Sequence, residues 1–162
     1  MKDIIKSIAD KYVTDKIHYG LITFDDDASI KLNFSSSSDR LKSLIDSMST
    51  ETGGPAIDKA LEAAVVLFEG EGVRYDAHKV LVLMVDTKSS GDDIDSMKSA
   101  RELKDSGVNI ITVAVGDEAD LSSLKNISSN PENVVNTTTK EKPESVGNKI
   151  LDRTGTRALV IN

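Results

Sequence analysis

The chain has 162 residues, 38% of them hydrophobic and 29% charged, which is the make-up of one soluble globular domain with a substantial core. Its formal net charge of -7 comes from 27 acidic and 20 basic residues with no run of Lys or Arg, which argues against a nucleic-acid partner. No stretch approaches the ~18 to 20 consecutive apolar residues of a membrane span, the start MKDIIKSIADKY lacks the apolar block of a signal peptide, and the absence of cysteine excludes disulfides, thiol catalysis and Cys-type zinc sites.

In chain order, Ile4, Ile5, Ile8, Ala9 and Tyr12 recur at helical spacing and predict an amphipathic helix over residues ~2 to 13. Lys16 to Phe24 is β-rich, Asp25 to Asp27 is a polar turn, and Ser29 to Phe34 alternates with period two, so the pair reads as a hairpin. Ser37 or Ser38 can cap a helix carrying Leu41, Leu44, Ile45 and Met48. Gly53-Gly54-Pro55 then breaks the chain before a helix over Ala56 to Phe68. Lys79 to Asp86 (KVLVLMVD) is continuously apolar up to its last residue, as expected of a parallel strand covered on both faces. A helix with Ile94, Met97, Ala100, Arg101 and Leu103 ends at Gly107 and leads into a second apolar strand, Val108 to Val115. A short helix with Leu121, Leu124 and Ile127, a weaker strand over Asn133 to Thr138 and a helix over Pro143 to Leu151 complete the series. Such alternation predicts an α/β fold: a doubly wound, mostly parallel central sheet with helices on both faces and one antiparallel edge strand.

The ordered landmarks HYGLITFDDDASIKLNF, TGGPAIDKALEAA, KVLVLMVDTKSSGDD and ARELKDSGVNIITVAVGDEADLSSLKNISSNPENVV resemble a von Willebrand factor A (vWA) domain over residues 1 to 152. The resemblance implies a Rossmann-like vWA fold, roles in cell adhesion or extracellular matrix assembly, and a metal ion-dependent adhesion site at the carboxyl ends of the strands, where open α/β sheets bind ligands. It also implies a first strand ending D-x-S-x-S, and this chain starts after that point. The family's metal-binding Thr falls at Pro55, which has no side-chain oxygen, and Asp86 alone of the ligand set is clearly in place. Asp86 therefore reads either as a solvated strand-end carboxylate or helix cap, or as a remnant metal contact, because Mg²⁺ wants about six oxygen ligands.

A sheet without that first strand would leave a gap between strand 16 to 24 and strand 79 to 86, with two rows of buried peptide groups lacking partners. Residues 153 to 162 supply a linker followed by the strand-like run Arg157-Ala158-Leu159-Val160-Ile161-Asn162, with Asn162 where the family's first metal Asp would sit. The chain thus looks circularly permuted or cut from a tandem array; the plainer reading is a frayed or edge-pairing tail. A linker too short to return within the molecule would give a strand-swapped dimer.

Other signals carry less. Asn33, Asn126 and Asn136 each begin an N-glycosylation pattern and point to a secreted, extracellular glycoprotein. His18 and His78 have no triad partner at a recognised spacing, three adjacent Asp lack the spaced ligands of a Ca²⁺ loop, and Gly53-Gly54 lacks the Lys of a phosphate loop. No catalytic residue and no certain cofactor emerge, with Mg²⁺ or another divalent cation bound weakly at most. The expected function is a non-enzymatic protein-binding module whose partners are matrix proteins such as collagen, with the loops around Glu51 to Ala56, Thr87 to Asp93 and Gly116 to Ala119 as its rim. The competing reading is a small intracellular α/β signalling or enzyme domain using Asp86.

Overall fold

A computed structural model describes residues 1–11, 16–49, 54, 56–86 and 94–154. The expected strand at 157–162, Asn162, Pro55 and most of the two loops before Ala56 and after Asp86 lie outside the described residues. Helix α1 (Lys2–Lys11) is followed by a hairpin of β1 (Tyr19–Phe24) and β2 (Ala28–Ser35), then α2 (Ser38–Ser47), α3 (Ile57–Glu69) and β3 (Lys79–Val85). The second half alternates α4 (Ile94–Asp105), β4 (Val108–Val115), α5 (Leu121–Ile127), a 3₁₀ turn at Pro131–Asn133, β5 (Val134–Thr137) and α6 (Pro143–Arg153). Ser37 caps α2 as its spacing predicts, its Oγ accepting the Arg40 N–H at 3.2 Å.

Two ladders run through the described residues. One is the antiparallel β1–β2 pair, in which Ile22 faces Ile30 and Phe24 faces Ala28. The other is parallel, in the order β3-β4-β5, with Lys79 opposite Val108, Val85 opposite Ala114 and Thr112 opposite Val134. Within β3 only Lys79 is partly exposed, and the residues that follow alternate between two cores. Val80, Val82 and Met84 join Tyr19, Leu21, Leu32, Ile111 and Val113 beneath α1, α2 and α6. Leu81, Leu83 and Val85 join Ile110, Ala114 and the apolar faces of α3, α4 and α5, with Ile22, Phe24 and Phe34 packed against them. Both cores thus draw on both ladders, so the two ladders form one layer between two sheets of helices. Each fully buried Leu or Ile contributes ~1.5 to 3 kcal/mol to this arrangement. Strand β2 exposes Ser29, Lys31 and Asn33 in alternation, the pattern of an outer strand, whereas β1 is buried from Tyr19 to Leu21 and lies inward of it.

Helix α4 forms where expected, and its buried face is built largely from small side chains. Ile94 is 86% exposed at the first position of the helix and Arg101 is exposed, while the buried stripe is Ser96, Ser99, Ala100 and Leu103. A hydropathy reading passes over buried serines, although small side chains let a helix approach its neighbours closely.

At the amino end of β3 the connection from α3 is tied to the hairpin. Gly72 has φ +83°, a Cβ placed on it would lie 2.5 Å from the Phe34 carbonyl oxygen, and its own carbonyl accepts from His18 Nδ1 at 3.2 Å. Arg74 reaches the Lys16 carbonyl through Nη2. At the opposite, carboxyl end, Glu141 anchors the start of α6 to β5: its carboxylate accepts from Thr137 Oγ1 at 3.0 Å, from Ser145 Oγ at 2.8 Å and from Lys149 Nζ at 2.7 Å. Asp120 caps α5, accepting from the Ser122 N–H at 2.9 Å and from the Ser122 and Ser123 hydroxyls at 2.7 and 2.8 Å. These donors hold both carboxyls well below the usual range, at about 2; for Glu141 the Lys149 bond is the largest cause, and for Asp120 the Ser122 hydroxyl.

Gly72→Ala and Gly107→Ala separate backbone strain from steric overlap. Both glycines have positive φ, but a Cβ at Gly107 meets nothing within 4 Å. The Gly107 variant should lose about 1 to 2 kcal/mol by urea denaturation, the cost of a left-handed alanine. The Gly72 variant should lose roughly 3 kcal/mol or more, because the Phe34 backbone must also move; equal losses would show that it yields freely. Glu141 and Asp120 make stability pH-dependent. Both pKa values are depressed in the folded chain, so their stabilisation is complete above the unfolded values of about 4 to 4.5 and is lost as pH falls through about 2. Acid titration of the melting temperature should show a decline across that window that Glu141→Gln makes shallower, and an unchanged profile in the variant would contradict the assignment.

Candidate functional site at the carboxyl edge

Strands β3, β4 and β5 are parallel, so Val85, Val115 and Thr137 end on one edge of the layer. Helix α3 runs back from that edge before the chain re-enters through β3, which places Ala56, at its amino terminus, on the same side. The Ala56 N–H donates to the Asp25 carbonyl at 2.7 Å and the Gly54 N–H donates to Asp26 Oδ1 at 2.8 Å. The turn after β1 is therefore stapled to the glycine loop before α3. Asp25 and Asp27 close the turn on themselves, the Asp25 N–H donating to the Asp27 carbonyl at 2.9 Å and the Ala28 N–H to Asp27 Oδ1 at 2.8 Å. The triple Asp, expected to be a solvated turn, thus also holds two loops together; only the spacing of short polar side chains around a turn hinted at it.

Asp86 follows the last residue of β3 and is exposed on this edge. Across β4 and β5, Gly116 turns the chain with φ +90° and donates its N–H to the Thr137 carbonyl at 2.8 Å, leaving Asp117 and Glu118 exposed. The described rim is consequently acidic, with Asp26, Asp27, Asp86, Asp117 and Glu118 facing solvent. No group of three or more His, Asp or Glu placed to hold a metal ion occurs among the described residues. Asp26 Oδ1 and the Asp25 carbonyl are committed to N–H donors. Asp86 remains as a single carboxylate, and a hard divalent cation needs about six oxygens, so the described residues do not fit a complete Mg²⁺ site.

The histidines lie elsewhere. His18 binds the Gly72 carbonyl and His78 precedes β3, both at the amino edge. A cleft of about 240 Å³ opens at that edge between α3 and α4, walled by Val65, Phe68, Leu103, Glu102 and the exposed Tyr75, with Lys79 Nζ 5.9 Å from the Tyr75 ring centre. Of the sequons, Asn33 and Asn136 are exposed on the outer strands β2 and β5. Asn126 lies within α5, and the hydroxyl of its Ser128 donates to the Asn130 carbonyl at 2.8 Å.

Known structures share this architecture. Proximal thread matrix protein 1 from the mussel byssus superposes with a TM-score of 0.78 at 27% identity, over 93% of this chain and 39% of that one. A second structure of that protein, with a zinc-occupied MIDAS motif, gives 0.79 at 28% identity over the same shares. This chain therefore spans about two fifths of the length of that relative. The vWF domain of the type V pili tip protein Mfa5 from Porphyromonas gingivalis shares the fold at 12% identity, with a TM-score of 0.71 over 98% of this chain and 88% of that one. The von Willebrand factor type A domain profile matches residues 1–149, and the chain belongs to that family.

Proposed function

We propose that this domain is a non-enzymatic protein-binding module of the adhesion or extracellular matrix type, with a degraded metal ion-dependent adhesion site. The observation that carries the reading is the state of the carboxyl edge: Asp86 stands as one exposed carboxylate while the neighbouring Asp25–Asp27 turn is occupied in fixing the glycine loop. Pro55 in that loop offers no hydroxyl where the family's metal-binding Thr would be, and Asn162, at the place of the family's first ligand, is at best a weak one. The likeness to a byssal matrix protein supports matrix proteins as the class of partner, and collagen is the member of that class we propose to test first. The acidic rim favours a basic partner surface, and opposed charges speed and orient docking more than they add affinity. Exposure of Asn33 and Asn136 on outer strands supports a secreted glycoprotein, since a glycan there would not disturb either core.

Binding to an immobilised panel of matrix proteins, measured with and without a chelator and beside magnesium and manganese calorimetry, tests this reading. The expected result is millimolar or undetectable metal affinity, with binding that survives the chelator and weakens at least tenfold in Asp117→Lys/Glu118→Lys. Micromolar Mg²⁺ or Mn²⁺ binding abolished by Asp86→Ala would contradict the degraded site. A stable mass increase after acetyl-phosphate treatment, lost in Asp86→Ala, would instead favour a signalling domain.

A further inference from the structure

We propose that the cleft between the carboxyl-terminal ends of α3 and α4 is a second binding site, independent of the acidic rim at the opposite edge, and that it takes an arginine side chain from a protein partner. Its floor is apolar, formed by Val65, Phe68 and Leu103, and Glu69 and Glu102 flank it from the two helices. Phe68 and Leu103 are buried, and Phe34 packs against the Phe68 ring at a centroid distance of 5.3 Å, so the floor is held by the core beneath it. Tyr75 lines the same cleft although 88% of that residue faces solvent.

A ring so exposed adds little to the core, yet the backbone that carries it is fixed. The Ala77 N–H donates to the Arg74 carbonyl at 3.2 Å, closing a turn with Tyr75 and Asp76 at its centre. Arg74 reaches the Lys16 carbonyl, and the Gly72 carbonyl accepts from His18 Nδ1 at 3.2 Å, which fastens the turn to the segment entering β1. An aromatic side chain on a fixed turn loses little entropy when a partner covers it. Tyr and Arg are also among the residues that concentrate binding energy at interfaces.

Size and charge select the occupant. At about 240 Å³ the cleft falls below the roughly 300 to 1,000 Å³ of small-molecule sites, which suits one side chain of a polypeptide. A wholly apolar side chain would strip water from two carboxylates without compensation. An arginine can lay its methylene stem on Val65, Phe68 and Leu103, meet Glu69 and Glu102 with its guanidinium and stack that plane on Tyr75. The two carboxylates outnumber the single ammonium of Lys79, and among the described residues no ion pair engages either of them. Lys79 Nζ lies 5.9 Å from the Tyr75 ring centre, within reach of a cation–π contact, so the chain's own ammonium marks the place of the guanidinium and competes for it.

Titration of the full chain with the tripeptide Ac-Gly-Arg-Gly-NH2, followed by amide chemical shifts, tests the site. Saturable shifts should centre on Tyr75, Glu102 and Leu103 with a Kd on the order of a few millimolar. The citrulline tripeptide, neutral but of the same shape, should bind about tenfold more weakly. Tyr75→Ala and Glu102→Gln should each raise Kd about threefold, the loss of one cation–π contact or one exposed ion pair, with the melting temperature unchanged. Lys79→Met removes the competing ammonium and should lower Kd about twofold, a gain that damage to the fold could not produce. Asp117→Lys/Glu118→Lys at the opposite edge should leave Kd as it is. Absence of saturable shifts at the cleft, equal or tighter binding of the citrulline or leucine tripeptide, a Kd indifferent to Tyr75→Ala and Glu102→Gln, or loss of binding in Asp117→Lys/Glu118→Lys would overturn the proposal.

Discussion

Because successive side chains of a strand point to opposite faces, β3 can bury every residue from Val80 to Val85 only if helices cover both of its sides. That requirement organises the molecule. Helices α1, α2 and α6 lie on one face and α3, α4 and α5 on the other, and the helical connections between the parallel strands β3, β4 and β5 return from the carboxyl to the amino edge. Loops then gather at the two ends of the strands, and the buried middle of the layer is closed to chemistry. Open α/β sheets bind their ligands at the carboxyl edge, where in this chain strand ends and helix starts bring exposed short acidic side chains together.

The acids of that edge divide by what they accept. Asp120 and Glu141 are saturated with hydroxyl, amide and ammonium donors and fix α5 and α6, and Asp25 to Asp27 shape one turn and fasten a second loop to it. Asp86 lies on the same edge with its side chain exposed to water. Carboxylates engaged in holding the scaffold rigid make a defined rim, and a defined rim loses less entropy when a partner docks. On the proposed reading, such a rim would bind a partner by shape and charge rather than by metal coordination.

Much of this was legible in the sequence because it depends on local pattern. The unbroken KVLVLMV run marks a strand covered on both faces, the Asp triplet between two β-rich segments marks the hairpin turn, and the apolar spacing of Ile57, Ala60, Leu61, Ala64 and Phe68 marks the buried face of α3. What stayed hidden depends on contacts between distant residues. The Asp26–Gly54 bond joins positions that no periodicity connects, and Glu141 acquires its role only when Thr137, Ser145 and Lys149 converge on it. Which side of α4 is buried was not legible either, because burial there belongs partly to Ser96 and Ser99, while Ile94 projects into solvent.

The central claim is that two separate ladders behave as one folded layer because both cores run through both of them. Native-state amide hydrogen exchange on the full chain tests it most directly. The account predicts that the slowest amides of β1, around Leu21, open with the same free energy as those of Val82 in β3 and Ile111 in β4, within about 1 kcal/mol, and with the same denaturant dependence, as one cooperative unit. Exchange of the β1–β2 hairpin through a separate, lower-energy opening while β3, β4 and β5 stay protected would contradict it.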